Sequence, residues 1–307
     1  MNFEVRPGSA RRTLFDSESL QIGHIAVRPV SSACGEIEVA GHNVLALTLA
    51  GVFARHDGPR QHVIATPNHA LFIAAGKPYR LSFPGCIGDR CLVLRFSGEA
   101  LALALPDALA RDGFDASVLA SHAPLEPRTM LARTLLWRSL ERGEIDGLEV
   151  EERAVCLLAA ALHAAREPGR GRRSLRSAVA RRRRQVEAVK EAIAVEPERR
   201  WTLDDLAGIA CVSPGHLAHV FRAEQGCSLY QYVLRSRLAC ALHAVLDSDT
   251  DLTAIALDAG FASHSHLTAR FRGFFGRTPT ELRRGRGAVN DVRDLRRIVT
   301  ARETATA

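Results

Sequence analysis

Between about residue 20 and residue 96, apolar and polar positions alternate in short runs. His42–Leu49, Val52–His56, His62–Thr66, Ala70–Ala74, Tyr79–Phe83 and Arg90–Phe96 predict strands. Turn formers punctuate them: Gly51, Asp57-Gly58-Pro59, Pro67-Asn68, Gly76-Lys77-Pro78 and Pro84-Gly85. Short strands at such close spacing predict an antiparallel barrel or jelly roll. From residue 127 the apolar period becomes helical. Met130, Leu131, Thr134, Leu135, Leu136 and Leu140 share one stripe, and Val150, Ala154, Leu157, Leu158, Ala161 and Leu162 share another, with Gly143 and Gly147 between them. Both stripes are wide enough to pack on the barrel and leave an apolar edge. That edge serves either an intra-chain core or a homodimer interface.

Residues 167–184 are polar, Gly-containing and rich in Arg, which predicts a basic linker. Val186, Val189 and Ile193 then mark a helix that Pro197 stops, and Thr202 is a plausible N-cap for the next one. After it one pattern occurs twice. Ala207 and Ala256 are 49 residues apart, whereas Ser213/Ser263, Leu217/Leu267, Phe221/Phe271, Arg222/Arg272 and Gly226/Gly276 are each 50 apart. In each copy a small Ala lets a second helix cross close over the first. A Ser caps the second helix, with Pro214 at the first helical position of the first copy, and a Gly ends it. This is a helix-turn-helix pattern, present as a pair. Ser228–Asp247 joins the copies as one helix of twenty residues, about 30 Å long and close to one turn of DNA.

The fold expected is α+β in two domains. Residues 1–166 form an antiparallel β barrel or jelly roll with helices. Residues 185–286 form an all-α unit with two helix-turn-helix motifs on a linker helix. Residues 287–307 are a basic tail.

In the first copy Leu217, Val220 and Phe221 face inward, so Gly215, His216, Ala218 and His219 face outward, with Arg222 one turn on. In the second, Leu267 and Phe271 face in and His264, Ser265, Thr268 and Ala269 face out, with Arg272 beyond. Helix N-termini suit phosphate, and small polar side chains there reach base edges. Ser213, Gly215, His216, His219, Arg222, Ser263, His264, Ser265, Thr268 and Arg272 are therefore candidate DNA contacts, and Arg235 and Arg237 on the joining helix are candidates for phosphate. His264-Ser265-His266 is a poor metal site, because positions i and i+2 do not share a helix face.

Charge sharpens this picture. Residues 1–169 hold 17 Lys/Arg against 19 Asp/Glu, a net −2, and residues 170–307 hold 24 against 15, a net +9. A near-neutral front and a basic back suit a sensor joined to a polyanion-binding module. Seven scattered Cys without a CxxC read as reduced thiols. No apolar run reaches a membrane span and no signal peptide opens the chain, so a soluble cytoplasmic protein is expected.

Residues 181–286 resemble the DNA-binding domain of the AraC/XylS family of bacterial transcription regulators. The resemblance rests on Ala207, Ser213-Pro214, Leu217 and Phe221-Arg222; on Tyr230, Tyr232 and Arg237-Leu238; on Ala256, Ala259-Gly260-Phe261 and Ser263; and on Phe271-Arg272, Phe275-Gly276 and Thr278-Pro279. His219 stands where the family often has Arg, Cys211 replaces a small turn residue, and Ala269-Arg270 reverses a common order. The resemblance implies a cupin-like, effector-sensing and dimerising front domain. It also implies promoter DNA, a small-molecule effector, a homodimer and RNA polymerase as partners, in a regulator that is either an activator or a repressor. No cofactor is expected. Residues 1–169 carry no HxH, and Gly76-Lys77-Pro78-Tyr79 has Tyr where a metal-binding cupin often has His. No metal site and no catalytic residue are expected. A second reading, a DNA-modifying or repair enzyme, needs Cys34, Cys86 and Cys91 to meet His42 as a metal or redox site.

Overall fold

The computed structural model describes residues 9–58, 61–97, 122–166 and 176–284. Among the described residues the front region has ten strands: β1 Ser9–Asp16, β2 Leu20–Val27, β3 Glu38–Val39, β4 Val44–Gly51, β5 Phe53–Gly58, β6 Gln61–Ala65, β7 His69–Ile73, β8 Pro78–Ser82, β9 Asp89–Phe96 and β10 His122–Pro124. They form a six-stranded sheet in the order β1-β2-β9-β4-β7-β10 and a four-stranded sheet in the order β3-β8-β5-β6. The strand pairs are antiparallel, both in the hairpins β1–β2 and β5–β6 and where β9 inserts between β2 and β4.

The pleat sorts side chains between two cores. Ala46, Phe53, Val63, Ala65, Leu71, Phe83 and Cys91 pack together from both sheets. Leu45, Leu47, Leu92 and Leu94, one position out of phase, pack on helices instead. Those helices are α1 Pro127–Arg142 and α2 Gly147–Arg166, separated at Gly143, whose φ of 64° ends α1 in the left-handed conformation.

The rear region is helical: α3 Arg176–Val195, α4 Leu203–Ala210, α5 Pro214–Gln225, α6 Leu229–Asp247, α7 Leu252–Asp258, α8 His264–Phe275 and α9 Pro279–Arg284. α3 begins earlier than the Val186 stripe suggests. Arg181–Arg184 lie exposed on its first half rather than in a spacer. Four long side chains on one turn can all reach water, so helix costs them little. The remainder of the expected linker and the basic tail 287–307 lie outside the described residues.

Front and rear share a core. The apolar cluster that holds Met130, Leu136, Leu157 and Leu162 continues into Leu238, Leu242, Phe261, Leu267 and Phe271. Much of the apolar edge expected on α1 and α2 is therefore used within the chain. Polar ties complete the seam. Glu187 Oε2 accepts the Ile64 N–H at 2.7 Å and pairs with the fully buried Lys190 at 2.9 Å. The Asn68 amide donates to Ser236 Oγ at 2.9 Å. Asp247, at the end of α6, takes Arg138 at 3.0 Å and His243 at 2.8 Å. Burial pushes that carboxyl up, but the His243 hydrogen bond and the charges of His243, Arg138 and Arg90 outweigh it and hold it below the ordinary carboxylate value.

Candidate nucleic-acid interface

The first helix-turn-helix is assembled by local chemistry. Thr202 caps α4 in a reciprocal box: its Oγ1 accepts the Asp205 N–H at 3.1 Å, and Asp205 Oδ2 accepts the Thr202 N–H at 3.0 Å. The Thr202 hydroxyl on this carboxylate lowers its pKa. α4 ends at Cys211, which takes a φ of 53°. Ser213 then caps α5, its Oγ accepting the His216 N–H at 3.4 Å, and Pro214 occupies the first turn. Leu217, Val220 and Phe221 are buried, so Gly215, His216, His219 and Arg222 stand exposed along the opposite side.

The second copy repeats the geometry. Asp251 Oδ2 caps α7 by accepting the Thr253 N–H at 2.7 Å. Phe261 N donates to Ala256 O at 2.8 Å, as Val212 N donates to Ala207 O at 3.1 Å in the first copy. The turn is thus in register up to Phe261, and the extra residue is Ala262. Gly260 takes the left-handed conformation that Cys211 takes in the first turn. Ser263 caps α8 through the His266 N–H at 3.1 Å. Both reading helices end alike: Gly226 and Gly276 donate to Arg222 O and Arg272 O, each at 2.9 Å.

This register reassigns some candidates. With Ser213 matched to Ser263, His216 matches His266, which is exposed and sits edge-on to Phe261 at 5.5 Å. His264 matches Pro214 instead. It is half-buried, and its Nε2 lies 3.3 Å from the half-buried Thr268 Oγ1. Ser265, Ala269, Arg270 and Arg272 are exposed on α8. His266 and Arg270 are candidates that the outward-face reading omitted. The constant 50-residue offset could have found His266.

Arg235 and Arg237, the phosphate candidates of the joining helix, are engaged by backbone carbonyls in this structure. Arg235 Nη2 donates to Leu125 O of the front region at 2.9 Å. The Arg237 guanidinium donates to Pro197 O, Gly260 O, Glu198 O and Arg199 O at 2.9, 3.0, 3.2 and 2.8 Å. Both side chains turn inward because a planar cation with five N–H groups satisfies several backbone carbonyls at once. The cysteines do not gather either. Cys34 and Cys86 are exposed and Cys91 is buried between the sheets, where burial raises its thiol pKa. Among the described residues no three His, Cys, Asp or Glu side chains come together in a metal-binding group, and no helix is long and apolar enough to cross a membrane.

Known proteins match this same region. A helix-turn-helix domain family covers residues 206–285. An AraC-like transcription regulator of Streptomyces lividans, so described, is 34% identical over 89 residues, 29% of this chain and 29% of that protein. The HTH-type transcriptional regulator ArgR of Pseudomonas aeruginosa is 34% identical over 89 residues, 29% of this chain and 27% of that one. A crystallised transcriptional regulator from Chromobacterium violaceum, of the proteins containing an AraC-type DNA-binding domain, is 26% identical, with a TM-score of 0.33 over 34% of this chain and 93% of that one. The matched part spans under a third of the length of the two relatives. Residues 206–285 of this chain match a helix-turn-helix domain family and are similar to part of an AraC-like regulator.

Proposed function

We propose that this chain is a sequence-specific transcription regulator that binds duplex promoter DNA through two adjacent major grooves. The observation that carries this reading is the pair of equivalently capped helices, α5 and α8, each with an exposed face, packed on the two halves of one rod. α6 has 19 residues, about 28 Å at helical rise, against about 34 Å for a DNA turn. In this reading the exposed His216, His219, His266 and Ser265 contact base edges, and the exposed Arg222, Arg270 and Arg272 contact phosphates. The exposed Arg181–Arg184 run adds cationic surface on α3. The front region is the sensor in this reading. A small molecule there acts on DNA binding only through its differential affinity for two arrangements of the parts. The shared core and the polar seam give it a route. Selection of duplexes from a random library by the full chain tests the proposal. A recovered motif is expected, with affinity falling steeply as salt rises. Equal affinity for all sequences would overturn it.

A further inference from the structure

α6 is one helix but serves two cores. Its N-terminal residues Leu229 and Tyr232 pack with Val189, Leu206, Leu217 and Phe221 of the first head. Its later residues Leu238, Leu242 and Val245 pack with Ile255, Leu267 and Phe271 of the second. The two clusters are separate, and Arg237 sits where one gives way to the other. From there its guanidinium reaches both sides. It binds the carbonyls of Pro197, Glu198 and Arg199, on the loop that leads into the first head, and the carbonyl of Gly260, in the turn of the second. The two segments also touch. A Cβ on Gly260 would lie 2.7 Å from Glu198 O, and Gly260 has a φ of +78°. The loop is stiff in its own right. Arg199 stacks 4.2 Å over the Trp201 ring, and Trp201 Nε1 donates to Glu196 O at 3.0 Å.

We infer that Arg237 is a positioning residue: with Gly260 it clamps the second turn to the loop before the first head, and so fixes the spacing and phase of the two half-sites the chain accepts. The inference rests on the reading that both heads engage DNA together. A bare helix bends, and its joint to each head is apolar and non-directional. Four directed hydrogen bonds at the junction remove that freedom. A rigid rod gains from its second contact only at the matching geometry, whereas a loosened one gains less there and tolerates mismatch. Lys keeps the charge but has no planar fork with which to bridge four carbonyls.

The test uses the full chain and the duplex it selects from a random library, with zero to five base pairs inserted between the half-sites. The wild type is expected to lose about tenfold or more in affinity on the first insertions, as its second head falls out of phase. Arg237→Met should bind the native spacing about tenfold more weakly and flatten the spacing profile to within about threefold. Arg237→Lys should fall between. If Arg237→Met melts far below the wild type, Gly260→Ala, which wedges the same joint, is read in its place. A wild type that selects no sequence defeats the proposed function. A wild type with a sharp spacing profile that folded Arg237→Met or Gly260→Ala reproduces defeats the clamp alone.

Discussion

The two helix-turn-helix heads are copies in backbone and differ in attachment. The first has a core of its own, made with α3 and the start of α6, and meets the front sheets through polar groups, Glu187 with Ile64 and Asn68 with Ser236, and through a small apolar patch in which Ala194 and Val195 of α3 pack on Val52, Ala54 and Ile64. The second is buried in the same apolar cluster as α1, α2 and the six-stranded sheet. Their outer faces differ as well. Where the first carries His219, the second carries Ala269, with Arg270 beside it. Duplication therefore conserved the local code of caps and turns while the two copies acquired different neighbours. A change in the front region reaches the second head through one continuous packed core, and the first through buried hydrogen bonds and a smaller apolar patch. Packing transmits a displacement over many small contacts, whereas a buried polar tie is either made or broken.

The largest test of this contrast removes the matched core rings. Phe221 and Phe271 are both fully buried. Replacing either by Ala should cost about 3–5 kcal/mol. The patterns of amide exchange should differ. Phe221→Ala should loosen α3, α4 and α5 and spare α1 and α2. Phe271→Ala should loosen α7, α8, α1 and α2 together, since they share one cluster. Equal loosening of α1 and α2 by both variants would abolish the asymmetry.

What the sequence made legible follows the same divide. Caps and turns are decided within four residues, so Thr202, Ser213, Gly226, Ser263 and Gly276 were readable in advance, and each performs the expected task. The strands from β4 to β9 were equally plain, because alternation on a two-faced sheet is local. β1 was not, since its Arg11 and Arg12 interrupt the apolar rhythm and its partner β2 supplies the order. The carbonyl partners of the α6 arginines were not legible, for the opposite reason. A long side chain selects its acceptors from whatever tertiary structure brings near, and Pro197 and Gly260 lie 40 and 23 residues from Arg237. The choice between an intra-chain core and a homodimer interface for the edge of α1 and α2 stayed open, because an apolar stripe does not reveal which surface will cover it.

The outer faces offer a smaller effect and a sharper comparison. His216→Ala and His219→Ala should each change preference at particular base pairs, by about 1–3 kcal/mol where a good base contact is lost. His266→Ala in the second head should do the same at other positions. Ala269 has no polar reach, so the second head should read fewer bases than the first. Arg222→Ala and Arg272→Ala should weaken all duplexes alike and reduce the slope of affinity against salt. Library selection with each variant measures this. A motif in which the second half-site is as information-rich as the first would contradict the ranking of the heads.

The smallest effect concerns the two turns. Cys211 and Gly260 hold equivalent left-handed positions, at φ 53° and 78°. Only the second is occupied by the residue that adopts this conformation without strain. A side chain there costs roughly 1–2 kcal/mol in the folded state, and replacing it by Gly costs about 0.4–1 kcal/mol through the freer unfolded chain. Cys211→Gly should therefore stabilise the first head by up to about 1 kcal/mol. Gly260→Ala should destabilise the second by more than that, because it meets both the φ penalty and the Glu198 carbonyl. The exposed Cys211 thiol makes only a 4.0 Å contact to Ile209 O, so little native interaction is lost with it. Urea unfolding of the two single variants measures both signs. A loss of stability in Cys211→Gly would mean that the cysteine side chain, rather than the backbone alone, holds the first turn, and that the two turns are not equivalent after all.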